Sequence, residues 1–385
     1  MPESPVQTIE SDENAGVAGP EHGTALCLSG GGYRAMLFHV GTLWRLYEAG
    51  MLRDIQRISS VSGGSITAGL LGLKWSRLSF EPARVGQDFV AELVKPIRAL
   101  ASTTIDIPSI VSGLLLPGRV SDRIKTAYEK HLFGNATLQD LPDAPRFVIN
   151  ATNVQSGALW RFMKPYMRDY RVGEVKKPTI PLSLAVTASS AFPPVLSPVE
   201  MKLDPASFTV DSGMDLHRPP FTTNVILSDG GVYDNMGLET AWKRYDTILV
   251  SDAGGKMQAE AEPKSDWAQH AYRVLDLVDN QVRSLRKRQV INSFKSGDVK
   301  SGGRKGAYWG IRTDIGDYNV ERTLNCPHDR TLALAATDTR LARLDDLVQE
   351  RLINWGYAVC DAALRKHVAP GLPAPGDFPY PAAKV

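Results

Sequence analysis

Thr24-Ala25-Leu26-Cys27-Leu28-Ser29-Gly30-Gly31-Gly32-Tyr33-Arg34 is a short apolar run that breaks into three glycines, and Arg57-Ile58-Ser59-Ser60-Val61-Ser62-Gly63-Gly64-Ser65 repeats that form further along. A helical pattern follows each. From Arg34 to Ala49, Leu37, Val40, Trp44 and Tyr47 fall on one face and Gly50 supplies a stop, while the second turn opens into an apolar helix through about Leu73. Strand, glycine turn and helix, twice over, argue for an α/β protein with a parallel sheet covered by helices.

Working outward, residues 80–135 read as mostly helical, a cap over the sheet. Phe147–Asn153 and Ala158–Phe162 read as strands of a hairpin around Ser156-Gly157. Leu182–Ser190 is an apolar, small-residue stretch stopped by Pro193-Pro194, Val225–Leu227 is strand-like, and Thr247–Val250 has the continuous apolar character of a buried strand. Trp267, Ala271, Val274, Val278, Val282 and Leu285 recur at spacings of four and three, which predicts a long amphipathic helix. Lys295–Lys305 reads as an exposed loop, Leu341–Cys360 as the last helix and Pro370–Ala383 as irregular. The expected organisation is an acidic flexible tail over 1–22, one folded unit over 23–365 and an irregular Pro-rich end over 366–385. The folded unit has its motif-bearing core at about 25–253 and a helical extension at about 266–365.

Composition narrows the class. With 43% hydrophobic and 22% charged residues, the 385-residue chain can bury a large core, which excludes collagen-like, disordered and disulfide-scaffold proteins. A net charge of +2 gives no field for nucleic acid. Charge is uneven, however: residues 283–305 hold eight Lys and Arg against Asp298 alone, which can attract anionic headgroups. Cys27, Cys326 and Cys360 form no metal-ligand or C-x-x-C pattern, and with no secretory signal visible they are expected reduced, in the cytoplasm. No apolar run approaches the ~18 residues of a membrane span. The longest, around Ile110–Leu116, is too short, although Ile107–Leu116 can serve as a shallow insertion, a lid or a core-facing segment. Any membrane contact is therefore peripheral.

Three glycine turns can carry chemistry. Gly30-Gly31-Gly32 lets backbone N–H groups converge at a helix start, a nest for a phosphate or for the oxyanion of acyl transfer, with Arg34 near by; a plain tight turn is the other reading. Ser62 approximates the middle of a G-x-S-x-G nucleophile elbow, with Gly64 in the later glycine position and Ser60 in place of the first. The alternative for Ser62 is a helix N-cap, and Ser65 competes for both roles. Asp229-Gly230-Gly231 puts a carboxylate at a strand end where another loop can approach, unless it is only a turn aspartate. Asp252 is a second carboxylate after a buried strand. Of the histidines, His39 lies within the first helix and His270 on the long one, and none has a motif around it. No metal site is indicated.

Taken in order, these turns resemble the patatin-like phospholipases, whose oxyanion loop G-G-G-x-R-G, elbow G-x-S-x-G and D-G-G/A segment fall here on Gly30, Gly31, Gly32 and Arg34, then Ser62 and Gly64, then Asp229, Gly230 and Gly231. Ala35 and Ser60 depart from the pattern. Ala188-Ser189-Ser190-Ala191-Phe192-Pro193-Pro194 resembles a further block of that family, and the likeness runs from about Ala25 to Ala253. The resemblance implies a three-layer fold, a mostly parallel central sheet flanked by helices with a largely helical cap or insertion. It also implies a cofactor-free Ser–Asp dyad. Ser62 would attack an ester carbonyl, Asp229 would act as base, and the Gly31 and Gly32 amides, shaped by Gly30 and Arg34, would hold the oxyanion. The implied substrate is a phospholipid at a membrane surface. A smaller soluble ester or thioester, or a lipid-binding regulatory pseudoenzyme suggested by Ser60 and Ala35, are the alternatives.

Overall fold

The structure is a computed structural model that describes residues 20–80, 86–105, 118–194, 196–297 and 302–385. The segment Ile107–Leu116, apart from these, and most of the acidic tail lie outside the described residues.

The first two repeats fold as the spacing predicts: β1 (Glu21–Leu28), α1 (Gly32–Glu48), β2 (Arg57–Ser60) and α2 (Gly63–Lys74). β1 starts at Glu21, ahead of the expected Thr24, because Glu21 pairs with Tyr245 across the sheet. Its side chains alternate between two cores. Leu26 and Leu28 join the large one and Ala25 and Cys27 a smaller one on the opposite face. A strand buried on both faces needs a helical layer on each side, and this is the physical basis of the three-layer build.

The remaining strands are β3 (Arg146–Asn153), β4 (Ala158–Phe162), β5 (Tyr166–Asp169), β6 (Gly173–Lys176), β7 (Val199–Lys202), β8 (Asn224–Asp229), β9 (Tyr245–Asp252) and β10 (Lys305–Gly310). They form one ten-stranded sheet in the order β10-β9-β1-β2-β3-β4-β5-β6, with β8 also on β3 and β7 on β8. The half from β10 to β3 is parallel. From β3 onward every pairing is antiparallel, so the expected parallel character belongs to one half only. β3 and β4 are the hairpin read from the sequence. β5, β6 and β10 are additions to it, and β10 places a strand where the extension was read as helical.

Helices Lys95–Ala101 (α3) and Gly118–Tyr128 (α4), with the turns around them, pack against α1, α2 and Leu182–Ser189 (α5) in the large core. They belong to one helical layer, and among the described residues of 86–134 none lines the cavities beside Ser62 described below. α6 (Trp267–Ser296) lies on the opposite side, where Val290 joins the small core. α7 (His328–Ala335) precedes α8 (Asp346–His367), which covers α1. Glycines set how close that crossing is: a Cβ on Gly41 would stand 1.9 Å from the Ile353 carbonyl oxygen, and one on Gly356 1.9 Å from that of Phe38. The Pro-rich end is irregular but docked, with the Asn354 amide donating to the Tyr380 and Lys384 carbonyls.

Candidate active site

The sheet brings Ser62 and Asp229 together through one strand, β3. Its residues 146–149 pair with β2 in parallel and its residues 151–153 pair with β8 in antiparallel fashion. Ile149 pairs with both Ser60 and Phe162, and Ala151 with both Trp160 and Asp229, so β4 takes one edge of β3 while β2 and β8 share the other. The carboxyl ends of β2 and β8 therefore point at each other across Asn150. That residue fills the gap, its side-chain amide donating to Ser59 Oγ and the Ser60 carbonyl at 2.9 Å each. Ser62 follows one strand end and Asp229 terminates the other.

Ser62 has φ 52° and ψ −121°, in the left-handed half of backbone space that a non-glycine residue adopts only under constraint. It heads α2 and makes no side-chain cap, so the cap reading is not realised and the hydroxyl stays at the cavity wall, with the residue 8% exposed. Two contacts impose the turn. The Ser62 N–H donates to Ser189 Oγ at 3.0 Å. Gly64 lets helix meet strand, since a Cβ there would lie 2.5 Å from the Leu28 carbonyl oxygen. Ser60 fits in place of glycine because its hydroxyl is absorbed: it donates to the Val148 carbonyl and accepts from Ser65 Oγ at 3.0 Å. Ser65, the competitor, is fully buried and bonded to Ser60 and Ser189, away from the cavities.

Asp229 is 1% exposed. Burial pushes its carboxyl up to about 7, against the opposing pull of the Gly231 N–H and the Ser62 side chain, both of which favour the charged form. The Gly231 N–H donates to Oδ1 at 2.6 Å. Ser189 ties the two turns into one unit: its hydroxyl accepts from Ser62 N–H, its carbonyl accepts from Gly230 N–H at 3.2 Å, and the Ala191 carbonyl accepts from Asp229 N–H at 2.9 Å. The stretch before Pro193-Pro194 is thus the platform beneath both side chains.

The glycine loop closes over Ser62. A Cβ on Gly30 would lie 3.1 Å from Ser62 Cβ and 2.3 Å from Asn235 Oδ1, so a side chain there would have to displace Asn235 and press on Ser62. The Gly30 N–H is engaged by the Asn235 carbonyl at 3.0 Å. The N–H groups of Gly31 and Gly32, at the start of α1, have no acceptor among the described residues. Arg34 is buried and its guanidinium is committed, to the Ala253 and Thr337 carbonyls and to Thr339 Oγ1 at 2.8 Å. It braces the loop from behind. Burial, and then Arg283, lower its pKa to about 10, so it stays charged at neutral pH.

The rival groups lie elsewhere. Asp252 accepts from Tyr308 OH at 2.8 Å and Gly254 N–H at 2.9 Å. Burial would raise its pKa, but Arg283 and these donors outweigh that and hold it low, in a fixed ion pair. His39 is fully buried between Ser251 Oγ and the Ser29 carbonyl, each at 2.9 Å, and burial lowers its pKa to about 4, so it is neutral packing. Sequence reasoning missed Asn235, which has no motif around it and is wedged between the glycine loop and Gly231. Ser189 was visible only as part of a small-residue block.

Two cavities meet at Ser62. One, about 290 Å³, is apolar, walled by Phe192, Pro193, Pro194, Leu196 and Leu341. The other, about 230 Å³, is the more polar of the two, with Asp229, Asn235, Lys256, Asp276, Asp279 and Arg283 in its lining. Gly31 faces the polar cavity and Gly32 the apolar one. The hydroxyl, the carboxylate and two open amides thus adjoin a space that is greasy on one side and wet on the other, an arrangement suited to acyl transfer.

The family model for patatin-like phospholipases matches residues 26–242, more than half of the chain. The chain belongs to that family. No curated protein matches it in sequence. Among solved structures it is similar to human GIVD cytosolic phospholipase A2 in complex with methyl gamma-linolenyl fluorophosphonate and terbium chloride. There the identity is 16% and the TM-score 0.48, over 89% of this chain and 58% of that one. It is also similar to VipD from Legionella pneumophila, with 16% identity and a TM-score of 0.36, over 90% of this chain and 67% of that one. The chain therefore spans little more than half of the human enzyme's length. Among the described residues, no helix is long and apolar enough to cross a membrane.

Proposed function

We propose that the chain hydrolyses acyl esters of membrane phospholipids, with Ser62 as nucleophile and Asp229 as its base. The observation that carries this reading is a strained serine elbow facing a buried carboxylate raised to about 7, where an ordinary aspartate near ~3.9 would be a far weaker base. Ser62 Oγ attacks the ester carbonyl carbon as Asp229 takes the hydroxyl proton. The carbonyl oxygen gains charge against the N–H groups of Gly31 and Gly32, helped by the positive ends of α1 and α2. Collapse breaks the ester C–O bond, and Asp229 returns the proton to the leaving alkoxide, which departs as the lysolipid hydroxyl. Water, deprotonated by Asp229, then attacks the acyl-serine and releases the fatty acid.

The polarity of the two cavities supports a long acyl chain on the Phe192–Leu196 side and a polar leaving group on the Asp229–Arg283 side. The buried, unpaired cysteines suit a reducing compartment such as the cytoplasm. The test is fatty acid and lysolipid release from phospholipid vesicles, followed by mass spectrometry, with a soluble short-chain ester in parallel. Release by wild type and not by Ser62→Ala supports the reading. Turnover of the soluble ester alone would move the substrate to a small ester, and equal release by both proteins would remove Ser62 from the mechanism.

A further inference from the structure

α6 is folded with its apolar stripe outward. Trp267, Val274, Val278 and Leu285 recur within about 20° of one line on the helix, at 100° per residue, and Leu277 flanks them. All five are exposed, Trp267 at 85%. The helix's only carboxylates, Asp276 and Asp279, face the other way, into the polar cavity beside Ser62, together with Asn280 and Arg283. Tyr272, on the inner side of the helix, lines both cavities, so the stripe lies on the outer side of the helix that borders the site. At its far end the outward side continues into exposed Arg288 and Lys295.

Resting on the acyl-hydrolase reading above, we propose that this outer face of α6 is the surface by which the protein docks on an anionic phospholipid bilayer. A single line of aliphatic side chains led by a tryptophan, with no carboxylate of the helix itself on that side and cations beyond it, is the pattern of a helix lying in the headgroup region. Because the inner side of the same helix lines both cavities, a bilayer docked on its outer face is held one helix away from Ser62. A second copy of the chain would instead need a complementary face, and a stripe one residue wide buries little area for a stable dimer.

The experiment uses the full chain, both as wild type and as Ser62→Ala, so that docking is read whether or not hydrolysis occurs. Trp267 is the one exposed tryptophan of seven, so its emission reports the stripe. With vesicles containing phosphatidylserine, co-sedimentation and a blue shift of tryptophan emission are expected. W267S/V278S/L285S should bind about tenfold more weakly or worse and lose the shift, with soluble-ester turnover and the circular dichroism spectrum unchanged. R288E/K295E should bind more weakly and lose most of the salt dependence. Binding that the triple substitution leaves intact, absence of a shift in bound wild type, or a dimer in sedimentation that the same triple substitution dissolves would each overturn the assignment.

Discussion

α8 and α6 are both long helices with an apolar periodicity, and they are used in opposite ways. α8 turns its stripe inward: Leu352, Ile353, Trp355 and Val359 are fully buried on α1, and the Trp355 indole donates to the Ile311 carbonyl at 2.8 Å. Its buried charges are paired as well, Asp361 accepting from Arg45 at 2.9 Å and from Arg365 at 2.7 Å. α6 turns its stripe to solvent and its carboxylates to the site. Periodicity thus reveals that a helix has two faces and is silent on which one the fold covers. The contrast extends to the regions they serve. On the α8 side the native side chains hold the fold together. On the α6 side a strained serine and a buried carboxylate lower stability for the sake of reactivity.

The sharpest way to break the contrast is to truncate one tryptophan on each helix. Trp355→Ala should cost about 3–5 kcal/mol in denaturant unfolding, whereas Trp267→Ala should stay within about 0.5 kcal/mol. Comparable losses would mean that α6 is packed as α8 is.

Next in size is the pH dependence of Asp229. With a folded pKa of about 7 against ~3.9 unfolded, the folded chain keeps a proton that the unfolded chain has already lost between those values. Stability therefore falls as pH rises through that window, and the penalty is complete above about 7. Asp229→Asn carries no such penalty. It should be more stable than wild type at pH 8, by up to about 4 kcal/mol, with the gain fading toward pH 4. A gain that is the same at both pH values would show that ionisation of Asp229 is not its source.

Relief of the elbow is smaller. Ser62→Gly should raise stability by about 1–3 kcal/mol while abolishing turnover, because glycine tolerates the positive φ that serine is forced to adopt. Destabilisation by this change would remove the strain from the account. Smallest of all, Asp279→Asn should move the acid limb of the kcat/KM profile to lower pH by a fraction of a unit, since the charge on Asp279 helps raise Asp229. A limb that stays in place would sever the inner face of α6 from the site.

Much of this was legible in the residues. The three glycine turns stand out because each follows a strand and must leave room for a neighbouring backbone, and such crowding restricts sequence sharply. Ser62 and Asp229 came to notice for that reason. Less legible was whatever depends on pairing between distant segments. β10 hides in a basic, glycine-rich stretch and becomes a strand only by lying on β9, and the β5–β6 hairpin is too short to show an alternation. Asn235 and Ser189 act through a few hydrogen bonds to distant segments, which leave no periodic trace. Arg34 could be placed near the loop, but its commitment to Ala253, Thr337 and Thr339 depends on chain more than two hundred residues away.

The central claim, that Asp229 activates Ser62, is tested most directly by the rate and site of fluorophosphonate labelling, followed by intact-mass and peptide mass spectrometry across pH 5–9. One phosphonyl group on the Ser62 peptide is expected, with a rate that climbs as pH passes about 7 and collapses in Asp229→Asn. Labelling at another serine, or an undiminished rate in Asp229→Asn, would contradict it.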